Sequence, residues 1–259
     1  MTDIALFIHS TGTGPFMWKP LLQSLPPGTQ AVLPVNRGYS PTDLLPRGTT
    51  IGLADEVAHL KSQIPAGTSG VHLVAHSYGG LVALTLALDA AVPVKSVWLY
   101  EPVLFGALKA VEDTLPDDAA EHVRRLYGDA DFLLNAETGG LALWLAQFVD
   151  YWNHPGMWAS MSEKSRAMAQ VVGWKMFQEV RMVSTEAQPF AHYRLDMPVT
   201  LVHGEHTQAP AREMVRRLAA VNPHAQVNVL ADLGHMSVLT RPEAVQPSLD
   251  AHWRRVTGG

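Results

Sequence analysis

One serine stands where its hydroxyl could act as a nucleophile. Ser77 lies in the motif A-H-S-Y-G at residues 75–79, between the apolar run Val71–Ala75 and an apolar helical segment, Leu81–Ala90. A sharp strand-to-helix turn at a serine requires small residues two positions before and after it, and the alanine and glycine of the motif provide them. Such a turn lifts the hydroxyl above the strand end, beside the free N–H groups of the helix start. The pattern predicts nucleophilic chemistry at Ser77.

A serine hydroxyl reacts only when a base takes its proton, so a histidine is required elsewhere in the chain. The sequence contains 12 histidines. His235 follows the last apolar run and precedes the terminal helical segment, which predicts a position at the same sheet edge as Ser77. His76 is expected to point away from Ser77. His203 and His206 lack a third credible ligand, so we expect no metal and no cofactor.

The first apolar run ends in a small polar loop, His9-Ser10-Thr11-Gly12. A loop at this place can supply a backbone N–H group that binds a negatively charged oxygen, the arrangement called an oxyanion hole. We predict that Thr11 supplies one N–H group and Tyr78 the other. An ordinary strand-to-helix turn remains the alternative for this loop.

Composition excludes several classes of protein. The 259 residues are 47% apolar and carry a net charge of -5, so the chain can bury a full core and lacks the basic excess that binds nucleic acid. The absence of cysteine excludes disulfides and a thiol nucleophile. No segment has the length of a membrane helix or the pattern of a signal peptide. We therefore expect a cytoplasmic protein with a small-molecule substrate and no membrane partner, and the oligomeric state stays open.

The elements that must position these residues follow an α/β pattern. Short β-branched runs, each continuously apolar, alternate with longer segments of helical period, which indicates a mostly parallel, doubly wound sheet covered on both faces. The predicted strands are Ile4–Ile8, Gln30–Val35, Val71–Ala75, Val97–Tyr100, Val199–Val202 and Val227–Leu230. Thr240 to Glu243 has the pattern of a capping box at the start of the last helix.

A helical insertion interrupts this pattern between the fourth and fifth strands. Residues 104–195 contain no convincing strand, and we interpret them as a helical lid over a core formed by residues 1–103 and 196–259. Aromatic side chains recur there at helical spacing. We predict that Trp144, Phe148 and Trp152 contact substrate, with ordinary core packing as the alternative for each.

Taken together, these motifs resemble the α/β-hydrolase superfamily over nearly the whole chain. The loop at residues 9–12, the turn Asn36-Arg37-Gly38-Tyr39-Ser40, the motif at residues 75–79 and Gly234-His235 are similar to its oxyanion loop, second conserved turn, nucleophile elbow and catalytic histidine. Other stretches resemble a lid-bearing bacterial subgroup without a settled substrate. The resemblance implies the α/β-hydrolase fold, although the antiparallel strands that often precede the first core strand are missing.

The third member of the implied triad departs from the common pattern. Thr207 stands where most relatives carry an aspartate, and a threonine cannot offset the charge of an imidazolium. Some members of the superfamily place the acid after the strand next to the nucleophile strand, which implies Glu101 here. Asp232 and Glu205 are the alternatives.

The resemblance and the residues together predict a serine hydrolase that cleaves a small, mainly apolar carboxylic ester through an acyl-enzyme intermediate. The same triad could instead serve carbon–carbon bond hydrolysis or perhydrolysis. A second alternative is a slow or inactive ligand-binding protein on the hydrolase fold, because fold does not determine function.

Overall fold

A computed structural model describes residues 2–258 of the chain. One sheet of six strands organises the molecule, and the five pairings between neighbouring strands are all parallel. The strands are β1 Asp3–Ile8, β2 Thr29–Val32, β3 Gly70–His76, β4 Val94–Tyr100, β5 Val199–Gly204 and β6 Gln226–Leu230. Their order across the sheet is β2-β1-β3-β4-β5-β6. Every strand therefore directs its carboxyl end to the same edge.

Helices cover both faces of the sheet and fill the segment between β4 and β5. The α-helices are α1 Leu53–Ser62, α2 Tyr78–Ala87, α3 Phe105–Lys109, α4 Asp117–Gly128, α5 Ala142–Trp152, α6 Met157–Ser160, α7 Glu163–Val171, α8 Gly173–Thr185, α9 Ala209–Val221, α10 Ser237–Thr240 and α11 Pro242–Thr257. Short 3-10 helices span Pro15–Ser24, Glu112–Thr114 and Phe190–Tyr193. The sheet is doubly wound, as the continuous apolarity of its strands predicts.

Alternate residues of the first strand belong to two separate hydrophobic clusters. Ile4, Leu6 and Ile8 pack in the cluster that contains α2, whereas Ala5 and Phe7 pack in the cluster beneath α11. Side chains alternate between the two faces of a strand, so both faces of β1 are buried. This double burial explains why the sequence of β1 is apolar without interruption.

The helices α3 to α8 lie between β4 and β5 in the chain. Of these, α8 packs against α2 and α3, and α4 packs against α9. The segment therefore contacts the core at α2 and at α9. The described part of residues 104–195 contains no strand. Among residues 2–258, no helix combines the length and apolarity that a membrane crossing needs.

Two details differ from the sequence predictions. Strand β2 ends at Val32 rather than Val35, because Pro34 has no N–H group to continue the ladder. The predicted capping box at the start of α11 is wrong. The hydroxyl of Thr240 donates to the carbonyl oxygen of Met236, 3.1 Å away, and Thr240 ends α10. Arg241 precedes α11 without a capping side-chain hydrogen bond.

Candidate active site

Ser77 occupies the turn between β3 and α2. Its φ of 56° lies in the left-handed region, which a serine adopts only when its surroundings hold it there. The backbone N–H of Ser77 donates to the carbonyl of Tyr100, and its own carbonyl accepts from the N–H groups of Gly80 and Val103. The bonds with Tyr100 and Val103 fix the turn to β4 and the residues after it, and the bond with Gly80 closes the turn itself. The residue keeps 7% of its surface exposed, so its hydroxyl reaches the cavities described below.

Two glycines after the serine allow α2 to approach its neighbours. A Cβ atom on Gly79 would lie 2.6 Å from the carbonyl oxygen of Ile8 and 2.9 Å from that of His9. A Cβ atom on Gly80 would lie 2.5 Å from Cβ of Pro102. Neither contact is sterically allowed. The glycine of the motif is therefore required by the close approach of β1 to α2.

His235 lies in the loop after β6, at the same edge as Ser77. Its Nε2 atom is 3.0 Å from Oγ of Ser77, although 158 positions separate the two residues. The hydroxyl of Tyr100 donates to the carbonyl of Gly234 at 2.8 Å, and the N–H of Gly234 donates to Oγ of Ser237 at 3.0 Å. These contacts hold the loop on both sides of the imidazole.

Glu101 is fully buried and contacts the other nitrogen of His235. Its Oε2 atom lies 2.6 Å from Nδ1 of His235 and also accepts the hydroxyl of Thr207 at 2.5 Å. Its Oε1 atom accepts the N–H of Gly204 at 2.8 Å. A carboxylate only accepts hydrogen bonds, so Nδ1 of His235 must carry a proton and Nε2 is left to accept from Ser77. This is the arrangement of a nucleophile, a base and an orienting acid.

The two alternative acids lie on the surface. Glu205 and Asp232 are exposed, and the carboxylate of Asp232 faces His206 at 3.5 Å instead of His235. Ligand atoms of Glu205, His206 and Asp232 lie within 4.8 Å of one another, a grouping that exposed polar residues commonly form without a metal. His203 contacts the carbonyl of Gly204 through Nδ1.

His76 packs against the proposed base. It is fully buried, and its ring centroid lies 4.7 Å from that of His235, with a tilt of 45° between the rings. Neither ring nitrogen has a hydrogen-bond partner within residues 2–258. Burial is the main cause that holds the pKa of His76 well below its usual range, and the nearby His235 lowers it further, so the ring stays neutral. The sequence prediction that His76 points away gave no indication of this contact.

The predicted aromatic contacts divide into two groups. Trp152 stacks on His235 with ring centroids 3.9 Å apart, and both Trp152 and Phe148 line the cavities beside Ser77. Trp144 lies behind Phe148, stacked on it at 5.3 Å, and lines neither cavity. The indole N–H of Trp144 donates to the carbonyl of Leu133 at 3.0 Å. Trp144 is therefore placed in the core, the alternative that its sequence pattern left open.

Two apolar cavities meet at Ser77. The smaller has about 340 Å³ of empty space and the larger about 770 Å³, each including some open solvent. Thr11 lines both, Tyr78 lines only the smaller one and His235 only the larger one. Apart from the residues already named, the smaller cavity is lined by Val103, Phe105, Leu126, Leu133, Val180 and Val183.

The predicted oxyanion donors flank Ser77. Tyr78 is the first residue of α2, so its N–H group has no partner within the helix. Within residues 2–258, the backbone N–H groups of Tyr78 and Thr11 donate no hydrogen bond. The N–H of Gly12, by contrast, donates to the hydroxyl of Tyr39 at 2.7 Å. The N–H group of Thr11 is therefore free, whereas that of Gly12 is not.

A buried group of charges lies behind the loop and was missed by the sequence analysis. Lys175 of α8 pairs with Glu56 of α1 and with Glu179, and the three side chains are fully buried. Burial raises the pKa of Glu179, while Lys175 and the hydroxyls of Tyr39 and Thr11 oppose that rise. The i, i+4 spacing of Lys175 and Glu179, which places opposite charges on one side of α8, was the available indication.

Comparison with known proteins agrees with this architecture. A profile of the Alpha/beta hydrolase family matches residues 5–246. The chain belongs to this family. A protein named carbamate hydrolase RutD, from Enterobacter cloacae subsp. cloacae, is 26% identical over 250 residues, which cover 93% of this chain and 87% of that protein.

Solved structures share the fold across almost the whole chain. The 2-hydroxy-6-oxo-6-phenylhexa-2,4-dienoate hydrolase from Rhodococcus sp. strain RHA1 has a TM-score of 0.66 at 22% identity, covering 98% of this chain and 91% of that one. An α/β hydrolase from Sphaerobacter thermophilus has a TM-score of 0.70 at 17% identity, covering 97% and 93%. At these identities the likeness establishes the fold alone. The superfamily and the fold class predicted from the sequence are thereby confirmed.

Proposed function

We propose that this chain is a serine hydrolase that cleaves a small, mainly apolar carboxylic ester. Ser77 is the nucleophile, His235 the base and Glu101 the acid that orients it. The observation that carries the proposal is the unbroken contact from Ser77 Oγ to His235 Nε2, at 3.0 Å, and from His235 Nδ1 to Glu101, at 2.6 Å, beside two apolar cavities. A cytoplasmic location stays a prediction from the sequence.

The reaction follows from the positions of the protons. Oγ of Ser77 forms a bond to the acyl carbon while Nε2 of His235 takes the hydroxyl proton, and the N–H groups of Thr11 and Tyr78 bind the oxyanion. The bond to the alcohol then breaks, and the alcohol leaves with the proton from His235. Water attacks the acyl-enzyme by the same route, and the carboxylic acid is released as the Ser77 hydroxyl is restored. Glu101 stabilises the imidazolium in both halves.

The cavities suggest which part of the substrate each holds. The leaving alcohol must lie within reach of His235, which lines the larger of these two cavities and not the smaller one. The acyl group is then left with the smaller cavity, whose lining residues from α3, α4, α5 and α8 are apolar. This division favours a short acyl chain and a larger alcohol. It also gives residues 104–195 the role of a lid, because they supply seven of the 11 residues that line the smaller cavity and eight of the 17 that line the larger one.

Three other reactions remain to be separated by experiment. Carbon–carbon bond hydrolysis and perhydrolysis use the same nucleophile and base, and a carbamate carbonyl is open to the same attack, as the name of the Enterobacter relative suggests. A ligand-binding protein without turnover was an alternative because Thr207 replaces the usual acid. The hydrogen bond from Thr207 to Glu101 weakens that alternative, since the histidine keeps a carboxylate partner.

A substrate panel tests the proposal. We would compare p-nitrophenyl esters of two to ten acyl carbons with a p-nitrophenyl carbamate and a ring-cleavage diketone. We expect the highest kcat/KM for esters of two to four carbons and a fall of about tenfold or more by eight carbons, because a longer chain overfills the smaller cavity. Faster turnover of the diketone or the carbamate would contradict the ester assignment. Strong thermal stabilisation without turnover would favour the ligand-binding alternative.

A pair of valine variants tests the acyl cavity itself. Val180→Ala enlarges the smaller cavity, so we expect its preferred acyl chain to lengthen by about one or two carbons. Val171 of α7 is exposed and lines neither cavity, so Val171→Ala should leave the chain-length profile unchanged. An unchanged profile in both variants would show that the acyl group lies elsewhere.

A further inference from the structure

Three buried charged side chains and one partly buried tyrosine, behind the proposed oxyanion hole, take no part in the reaction described above. They are Tyr39, Glu56, Lys175 and Glu179, which come from the turn after β2, from α1 and from α8. Their contacts lead to both residues whose N–H groups are proposed to bind the oxyanion.

The first set of contacts reaches the loop that contains Thr11. The N–H of Gly12 donates to the hydroxyl oxygen of Tyr39 at 2.7 Å, and the Tyr39 hydroxyl donates to Oε2 of Glu179 at 2.7 Å. An N–H group only donates, so the single hydroxyl proton of Tyr39 is free to go to the carboxylate. The hydrogen-bond chain therefore has one direction. It fixes the peptide that follows Thr11.

The conformation of this loop needs such support. Gly12 has a φ of +72°, and a Cβ atom there would lie 2.7 Å from Cε of Met176 on α8. The loop is therefore left-handed at this residue and packed directly against the helix that carries Lys175 and Glu179. A shift of α8 would move the loop and its anchor together.

The second set of contacts reaches Tyr78. The hydroxyl of Tyr78 donates to Oε2 of Glu56 at 3.2 Å, and Oε1 of Glu56 accepts the N–H of Arg37 at 2.8 Å. Lys175 bridges the two sets, because its ammonium pairs with both Glu56 and Glu179. The ammonium also lies 5.2 Å from the ring centroid of Tyr78 and 5.8 Å from that of Tyr39.

Burial of three charged side chains is costly and is seldom the cheapest way to stabilise a fold. We propose that Tyr39 and Glu179, held by Lys175, are positioning residues that set the Thr11 N–H group at the geometry required by the oxyanion. The inference rests on the proposed function. It means that the lid helix α8 carries part of the support for the oxyanion hole, in addition to lining the cavities.

The expected effect is specific to the transition state. The donors bind an oxyanion that exists only when the acyl carbon is tetrahedral, so a displaced donor lowers kcat and leaves KM nearly unchanged. Loss of one whole oxyanion donor costs about 10²- to 10³-fold in kcat. Loss of its support should cost less, and we expect a fall of about 10- to 100-fold for Tyr39→Phe.

The test compares Tyr39→Phe with Tyr127→Phe. Tyr127 donates its hydroxyl to the carbonyl of Ser184 within the lid, so its loss is a matched removal of one hydroxyl outside this group. We would measure kcat, KM and the affinity for a trifluoromethyl ketone. Oγ of Ser77 adds to the carbonyl carbon of that inhibitor while His235 takes the hydroxyl proton. The carbonyl oxygen of the inhibitor then becomes an oxyanion.

We expect Tyr39→Phe to lose ketone affinity by about the same factor as kcat, with KM within about threefold of wild type. Changes no larger than those of Tyr127→Phe would overturn the inference, and so would a rise in KM at constant kcat. Glu179→Gln keeps the side-chain shape but removes the charge that pairs with Lys175 and accepts from Tyr39, so it should lose kcat in the same direction. It provides the same comparison if Tyr39→Phe does not fold.

Failure of the proposed function gives a different result. A wild-type protein that neither turns over esters nor reacts with a fluorophosphonate would remove the function and this inference together. An active wild type with an unaffected Tyr39→Phe variant would remove only the inference.

Discussion

The acid of the proposed triad owes its position to three donors that meet at one carboxylate. Glu101 has a φ of 45°, in the left-handed region, which turns its side chain from the end of β4 toward β5. There it accepts hydrogen bonds from His235, Thr207 and Gly204. Thr207 stands at the place of the usual acid but does not act as one. It donates to Glu101, the proposed acid.

Removal of the charge on Glu101 should abolish most of the activity. In Glu101→Gln the amide can present an N–H group to Nδ1 of His235, which favours the wrong tautomer, so we expect kcat to fall by about 10⁴-fold. Thr207→Val removes one hydrogen bond and keeps the charge, so its loss should be about tenfold. Steady-state kinetics of both variants against an ester measure these effects.

Glu205→Gln serves as the control for this pair, because the Glu205 carboxylate is exposed and does not contact His235. It should retain near-normal kcat. A Glu101→Gln variant with near-normal kcat would show that another group holds the histidine.

For single residues, the sequence predicts a role only where neighbouring residues in the chain form the surroundings of the side chain. Ser77 could be identified because the strand, the turn and the helix that expose it are contiguous in the chain. The pairing of Thr207 with Glu101, and of Tyr39 with Glu179, joins residues more than 100 positions apart. No local pattern encodes such a contact.

At the scale of elements, α2 passes close to the end of β1. Gly79→Ala would place a methyl group against two backbone carbonyl oxygens, which cannot withdraw as a flexible side chain can. We expect a lower melting temperature and a displaced Ser77, with kcat reduced by about 10-fold or more. Thermal unfolding and ester kinetics would be measured together.

The control is Gly128→Ala, because the Cβ position of Gly128 in α4 meets nothing within 4 Å. Alanine has the higher helix propensity, so this variant should be as stable as wild type or slightly more stable. Equal stability of both alanine variants would show that α2 does not need the close approach to β1.

Strands were easier to predict than the helices of the insertion. Five of the predicted runs fall inside β1, β3, β4, β5 and β6. The first four of these strands are largely buried on both faces and are therefore mostly apolar, whereas the edge strand β6 is partly exposed and was recognised by its β-branched residues. In α6 and α7, by contrast, no residue is buried, so neither helix has an apolar face that a periodicity argument could detect.

For the molecule as a whole, acid should weaken the fold through its buried histidines. Burial is the main cause that lowers the pKa of His9 to about 4 and of His252 to about 3, and it holds the pKa of His76 well below the usual range. Unfolding returns each group to its ordinary pKa of 6.5. Below about pH 6.5 the unfolded chain therefore binds protons that the folded protein does not bind.

We expect the free energy of unfolding to be highest above about pH 6.5 and to fall as the pH decreases from 6.5 toward 4. Each histidine contributes up to about 1.4 kcal/mol per pH unit to this slope. Urea unfolding at a series of pH values measures it.

His252→Gln should reduce the slope by up to about 1.4 kcal/mol per pH unit, because glutamine does not titrate. Glutamine can still pair with Ser96 or Thr200. The exposed His154 gives the matched control, and His154→Gln should leave the slope unchanged. A slope that is the same in all three proteins would contradict the assignment of His252.

The order of the strands is the part of the architecture that the sequence left undetermined. The apolar runs predicted a parallel sheet, but the placement of β1 between β2 and β3 depends on pairing over long separations. That order is what brings the ends of β3, β4 and β5 together and so joins Ser77 to Glu101.

The central claim is that the hydroxyl of Ser77 is an activated nucleophile. The most direct measurement is the intact mass of the protein after incubation with a fluorophosphonate, compared between wild type and Ser77→Ala. We expect one added phosphonyl group on wild type and none on Ser77→Ala. Labelling of both proteins, or of neither, would contradict it.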